Sequence, residues 1–209
     1  IIDRIERGRA LGVREFQLSL PSWGALNDHE LDLFFAETCG RFPDCQFHQY
    51  NLLRAKRRLT SVDFLRLADA HPNFVAVKAG TDDATLIADW LTVAPRLRFY
   101  FTEGGYAIAR RTHDVGLLIS LASINYARAK KYVSGSDAER TVDAAELRGI
   151  LATLLKLGEN RFHMDGAYDK LLFKVTDPSF PLRLLPPYAS STDEDFARFL
   201  PAIPAGWRA

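Results

Sequence analysis

The chain has 209 residues, 47% of them hydrophobic and 25% charged, with a formal net charge of +1. That is enough apolar material for one sizeable core, which excludes a disordered polymer, and no run approaches the roughly 18 consecutive apolar residues of a membrane-spanning helix. So small a net charge gathers neither nucleic acid nor an acidic membrane, and the expected partner is a small molecule.

The two cysteines, Cys39 and Cys45, stand without histidines at zinc spacing and read as free thiols of a reducing compartment. With no signal-peptide layout at the N-terminus, a cytoplasmic location is expected. The chain opens in Asp3 to Gly12, which has the character of a helix with a glycine stop, so a segment upstream is expected to be missing.

Phe16, Leu18 and Leu20 alternate with polar residues over Arg14 to Leu20, a strand stopped by Pro21. Asp28 is placed to cap a helix over Glu30 to Cys39. Gln46 to Asn51 is a second strand, and Ser61 opens a helix with Phe64, Leu65 and Ala68 inward. A third strand, Phe74 to Gly80, precedes a helix capped by Asp82 or Asp83 and carrying Leu86, Ile87, Trp90 and Leu91. A fourth strand spans Leu97 to Thr102, followed by a glycine pair and a short helix over Tyr106 to Arg111. Val115 to Ser120 is a fifth strand. From about Val142 the pattern turns helical, over Ala144 to Leu157, Arg161 to Lys174 and Glu194 to Leu200, with a proline-rich crossing at Pro181 to Pro187.

Strands and helices alternate at roughly the 30-residue period of a βα unit, which calls for a parallel sheet covered by helices. No Gly-x-Gly-x-x-Gly follows any strand, which weakens a dinucleotide-binding sheet. The expected class is α/β, with strands over residues 1–134 and a helical extension over 135–209.

The chemistry gathers around Lys78, a cation inside the apolar run Phe74-Val75-Ala76-Val77-Lys78-Ala79-Gly80. An ammonium moved into a low-dielectric wall loses hydration, and a neutral, nucleophilic amine becomes accessible, as in Schiff-base lysines. The same lysine can instead snorkel its head to solvent, and the run alone leaves both open. Tyr50 lies one βα repeat earlier, at similar height on the adjacent strand, where a phenol can move protons during carbinolamine dehydration or simply cap a barrel layer. His48 shares its face and reads as an interior histidine or a second acid–base group. The basic run Arg54-Ala55-Lys56-Arg57-Arg58 is either a clamp for an acid or phosphate, with Arg54 and Arg57 the candidates, or a solvated loop. Asp82-Asp83 and Asp193-Glu194-Asp195 read as caps and first-turn charges rather than metal ligands.

Tyr50-Asn51, Phe74-Val75-Ala76-Val77-Lys78, Thr102-Glu103-Gly104 and Leu118-Ile119-Ser120, with Gly166-Ala167-Tyr168-Asp169-Lys170 and the run from Pro181 to Tyr188, resemble the dihydrodipicolinate synthase and N-acetylneuraminate lyase family of class I aldolases. The resemblance implies a (β/α)₈ TIM barrel, here its fourth to eighth strands, with a C-terminal helical extension. It implies an imine between Lys78 and pyruvate or another 2-oxo acid, with Tyr50 as proton shuttle. Ile119, Ser120 and Thr102 would line the substrate pocket, an aldehyde is the expected second partner, no metal or other cofactor is called for, and a homo-oligomer is expected.

The sequence also departs from the family pattern. Pro21 is followed by Ser22 and Trp23 where the synthases carry two tyrosines; Leu53 replaces the proline after Tyr50-Asn51; Ala55 falls where the synthases place a carboxylate-binding arginine. Ala79-Gly80 after the lysine is closer to the sugar-acid dehydratase branch, so dehydration of a sugar-derived ketoacid is the alternative within chemistry. A non-catalytic, ligand-binding homologue is the alternative outside it. Three absent βα units, roughly 90 residues, would leave two strand edges uncovered, so self-association is expected.

Overall fold

The computed structural model describes residues 1–158, 161 and 165–208. They form two compact units, Ile1–Leu118 and Ile119–Ala209. The first is an α/β layer: α1 (Ile2–Ala10), β1 (Glu15–Leu18), α2 (Asp28–Phe35), β2 (Gln46–Asn51), α3 (Ser61–Ala70), β3 (Phe74–Ala79), α4 (Ala84–Val93), β4 (Arg98–Phe101), α5 (Glu103–Ala109) and β5 (Gly116–Leu117). The five strands pair in parallel in the order β1-β2-β3-β4-β5. A parallel pair cannot be closed by a tight turn, so every crossover carries a helix.

Alternation gives the sheet two chemically different faces. Phe47, Gln49 and Asn51 of β2, Val77 and Ala79 of β3, and Phe99 and Phe101 of β4 are all buried. Phe64 of α3 and Trp90 of α4 meet edge to face at 5.7 Å, and Trp90 stacks on Phe99 at 6.0 Å, so this face is the one the helices cover. The opposite face carries His48, Tyr50, Lys78 and Tyr100, all half-buried.

Local signals explain most element ends. The helix α1 stops at Gly12, whose φ of +89° is strained for a residue with a Cβ. The cap of α2 is Asn27 rather than Asp28: Asn27 and Glu30 form a reciprocal capping box, and Asp28 is the first helical residue. After Phe35 the helix widens into a π turn over Ala36–Gly40 that buries Cys39, and burial pushes its thiol up to about 12. Thr60 caps α3 and Asp83 caps α4. On α3, Phe64, Leu67 and Ala68 are buried while Leu65 is 39% exposed, so Leu67 and not Leu65 completes the inner stripe.

The second unit is helical: α6 (Tyr126–Ser134), α7 (Asp137–Gly158), α8 (Asp165–Lys174) and α9 (Asp193–Phe199). Helix α6 was not expected. Residues 162–164 of the helix expected from Arg161 lie outside the described residues. The segment between α8 and α9 is held by lysines: Lys170 donates to Pro181 O (3.2 Å) and Arg183 O (2.7 Å), and Lys174 to Pro178 O (2.6 Å). Trp207 is fully buried, its ring 4.1 Å from the Arg128 guanidinium carbon and its Nε1 donating to Glu146 at 2.5 Å.

Two predictions follow from this packing. The side chain of Asn51, buried at the end of β2, donates to Leu59 O at 3.0 Å and accepts from Leu59 N at 2.9 Å, closing the loop after β2 as a strand partner would. Asn51→Ala is expected to cost about 1–3 kcal/mol, read as a lower urea midpoint, because Leu59 keeps a buried donor and acceptor without partners. Asp195 is 1% exposed. Burial alone would push its carboxyl up, but Arg161 at 2.5 Å and the Thr192 cap contacts hold it below the usual range. A carboxyl depressed in the folded state stabilises fully above its unfolded pKa of about 3.9, and the contribution is lost as pH falls through the folded value. Arg161→Ala is therefore expected to move the acid loss of thermal stability to higher pH, measured as Tm against pH.

Candidate active site

The site is built on the less covered face of the first unit. Parallel pairing sets Tyr50 of β2 opposite Lys78 of β3, and Lys78 in turn opposite Tyr100 of β4. The three side chains therefore stand in one row on one face, near the C-terminal ends of their strands. Lys78 Nζ lies 4.0 Å from the centroid of the Tyr50 ring, so the amine rests on the negative face of the phenol. The strand around it is as apolar as its sequence suggested, with Phe74, Ala76, Val77 and Ala79 at most 2% exposed. Lys78 itself is only half-buried, because the face it occupies is the open one.

One layer below, towards the strand starts, His48 pairs with Ala76. The methyl of Ala76 leaves room for the His48 ring to reach Tyr100, on which it stacks at 6.1 Å with 19° between planes. The Arg98 guanidinium carbon is 5.7 Å from the same Tyr100 ring. Together these groups make a floor of polar-edged rings beneath an amine. An amine, a phenol and an imidazole on adjacent layers of one sheet face are groups that carbonyl addition and proton transfer can use.

Of the other expected site residues, Arg54, Arg57 and Thr102 lie on the segments that follow β2 and β4. Arg57 is engaged by the fold: it donates to Leu26 O (2.9 Å), Asp28 (2.7 Å) and Asp63 (3.1 Å), with its side chain 16% exposed. That guanidinium ties the loop after β1 to the loop after β2. Lys56, at φ 58°, reinforces the tie by donating to Trp23 O at 3.3 Å. Arg54 lies exposed in the helical turn Leu53–Ala55. Thr102 follows β4 and stands at the N-cap of α5 in extended conformation. Ile119 and Ser120 belong to the second unit, where Ser120 occupies the position before the turn Leu121–Ser123. Sequence reasoning passed over Tyr100, because Phe99-Tyr100-Phe101 reads as an unbroken aromatic run. Its position after β3 at the same register as Lys78 was the available signal.

Among the described residues no group of three or more His, Cys, Asp or Glu could hold a metal ion, and no helix is long and apolar enough to cross a membrane.

No protein-family model matches the chain, and no curated protein matches it. Solved structures do. Dihydrodipicolinate synthase from Agrobacterium tumefaciens superposes with a TM-score of 0.78 at 20% identity, over 96% of this chain and 69% of that one. A prophage protein of the dihydrodipicolinic acid synthase family from E. coli K12, in complex with pyruvate, gives 0.73 at 13% identity over 95% and 68%. The 2-keto-3-deoxygluconate aldolase of Sulfolobus, in complex with D-KDPG, gives 0.72 at 12% over 97% and 68%. The parallel sheet with its crossover helices, and the helices that follow, thus have the fold of the dihydrodipicolinate synthase and ketoacid aldolase structures.

Proposed function

We propose that the protein is a lyase of the class I aldolase type that forms an imine between Lys78 and a 2-oxo acid. The observation that carries this reading is the in-register pair Tyr50 and Lys78, with the amine 4.0 Å over the phenol ring. A neutral amine adds to the ketone carbon, and the hydroxyl of the carbinolamine then takes a proton from Tyr50 and leaves as water. The product is an iminium, whose positive charge forms on the nitrogen that already faces the Tyr50 ring. Loss of a proton from the adjacent carbon gives an enamine, and that carbon then bonds to the carbonyl carbon of an aldehyde; the reverse sequence cleaves the same bond. Tyr50 moves protons in these steps. The pyruvate in the complex of the E. coli structure supports a 2-oxo acid as the substrate class.

Incubation with pyruvate and borohydride is expected to add to the protein the mass of the ketoacid less one oxygen atom, at Lys78; an unmodified Lys78 would remove the imine. Lys78→Ala is expected to abolish the adduct. Tyr50→Phe keeps the ring face and loses the hydroxyl, so it is expected to retain trapping while slowing carbon–carbon bond turnover by about 10²-fold or more, the usual scale for an acid–base group. Equal turnover in Tyr50→Phe would assign proton transfer to another group.

A further inference from the structure

The pair register places a second phenol beside the amine. Neighbouring strands lie about 4.8 Å apart, and Tyr50 and Tyr100 occupy the two strands on either side of Lys78 at its own level. The Tyr100 ring is fixed from more than one side. It lies across the backbone of Gly116 on β5, where an added Cβ would sit 2.1 Å from its Cδ1 and 2.3 Å from its Cε1. Glycine is therefore required at position 116 for the ring to lie where it does. The His48 ring stacks on it at 6.1 Å across the small Ala76, and Arg98 approaches at 5.7 Å. A half-buried tyrosine held in this way is a rigid wall with one open side.

An imine on Lys78 is planar at its carbon and nitrogen, and the residues at its level on the two adjacent strands are both tyrosines. We propose that Tyr100 is a specificity-determining residue, the wall opposite Tyr50 that limits the size of the group beside the reacting carbonyl. The proposal rests on the imine reading of Lys78. The acids it favours are 2-oxo acids with a methyl or other unbranched small group at that position, pyruvate above all. Tyr100 acts here by its volume and its fixed position, and the hydroxyl has no part in the selection.

Borohydride trapping of the protein with pyruvate and with 3-methyl-2-oxobutanoate, scored as the ratio of the two rates, tests this. Wild type is expected to favour pyruvate by roughly tenfold or more, since 3-methyl-2-oxobutanoate carries two further carbons against the wall and each one rejected is worth roughly 10–200-fold. Tyr100→Ala is expected to reduce that ratio by about tenfold or more, and Tyr100→Phe, which restores the volume, to return it to the wild-type value. Should Tyr100→Ala fail to fold, Tyr100→Leu carries the same comparison with less volume lost. A ratio unmoved in the truncated variant, or one that collapses in Tyr100→Phe, overturns the wall. Wild-type protein that traps neither acid overturns the imine reading instead, so the two failures are told apart.

Discussion

In-register parallel pairing of β2, β3 and β4 is the constraint on which the candidate site depends. Tyr50, Lys78 and Tyr100 are separated by whole βα units in sequence and share no local contact, yet pairing sets them side by side at one height. The force that holds the register lies on the other face. Phe64, Trp90, Phe99 and Phe101 form a dry aromatic cluster that would be broken if a strand slipped by one residue, because a one-residue slip turns every side chain to the opposite face. The buried side of the sheet thus specifies the alignment, and the open side uses it.

Charge in this chain is divided between structure and chemistry. Most of the well-formed ion pairs serve packing: Arg57 with Asp28 and Asp63, Arg128 with Asp143 and Glu146, Arg161 with Asp195. Such pairs hold their members with both partners satisfied, which suits a scaffold. Lys78 differs in its surroundings, since its amine rests on the face of an aromatic ring. A carboxylate would fix the ammonium as an ion pair, whereas a π face accepts positive charge on nitrogen without a proton being exchanged with it.

How much of this is legible in the sequence depends on how local its cause is. The strand Gln46–Asn51 has its expected bounds, and Pro43 and Asp44 mark the turn that precedes it. The βα alternation, the parallel sheet and the facing of Tyr50 and Lys78 follow from spacing alone. Strand β5 shrinks to Gly116–Leu117 from an expected six residues, since an apolar run reports burial but not hydrogen bonding. Helix α6 escaped notice because its sequence is short and basic and buries only Ala129 and Tyr132. The Asn27 cap was missed although Glu30 three residues on completes its capping box, a signal that was present and outweighed by the neighbouring Asp28. The fate of Arg57 was not legible at all. Its partners Leu26, Asp28 and Asp63 are brought to it by folding, and nothing in a basic run distinguishes a fastened arginine from a free one.

That fastening bears on how such a scaffold can change. Loops at strand ends are usually the independent modules of a parallel α/β fold, exchanged one at a time while the strands stay constant. Here Arg57 and Lys56, from the segment after β2, grip the backbone of Leu26 and Trp23, from the segment after β1. Lengthening or replacing either segment by itself would strip the grip from the other. The two must be inherited, grafted or redesigned as a matched set, so diversification at this rim proceeds by paired exchange.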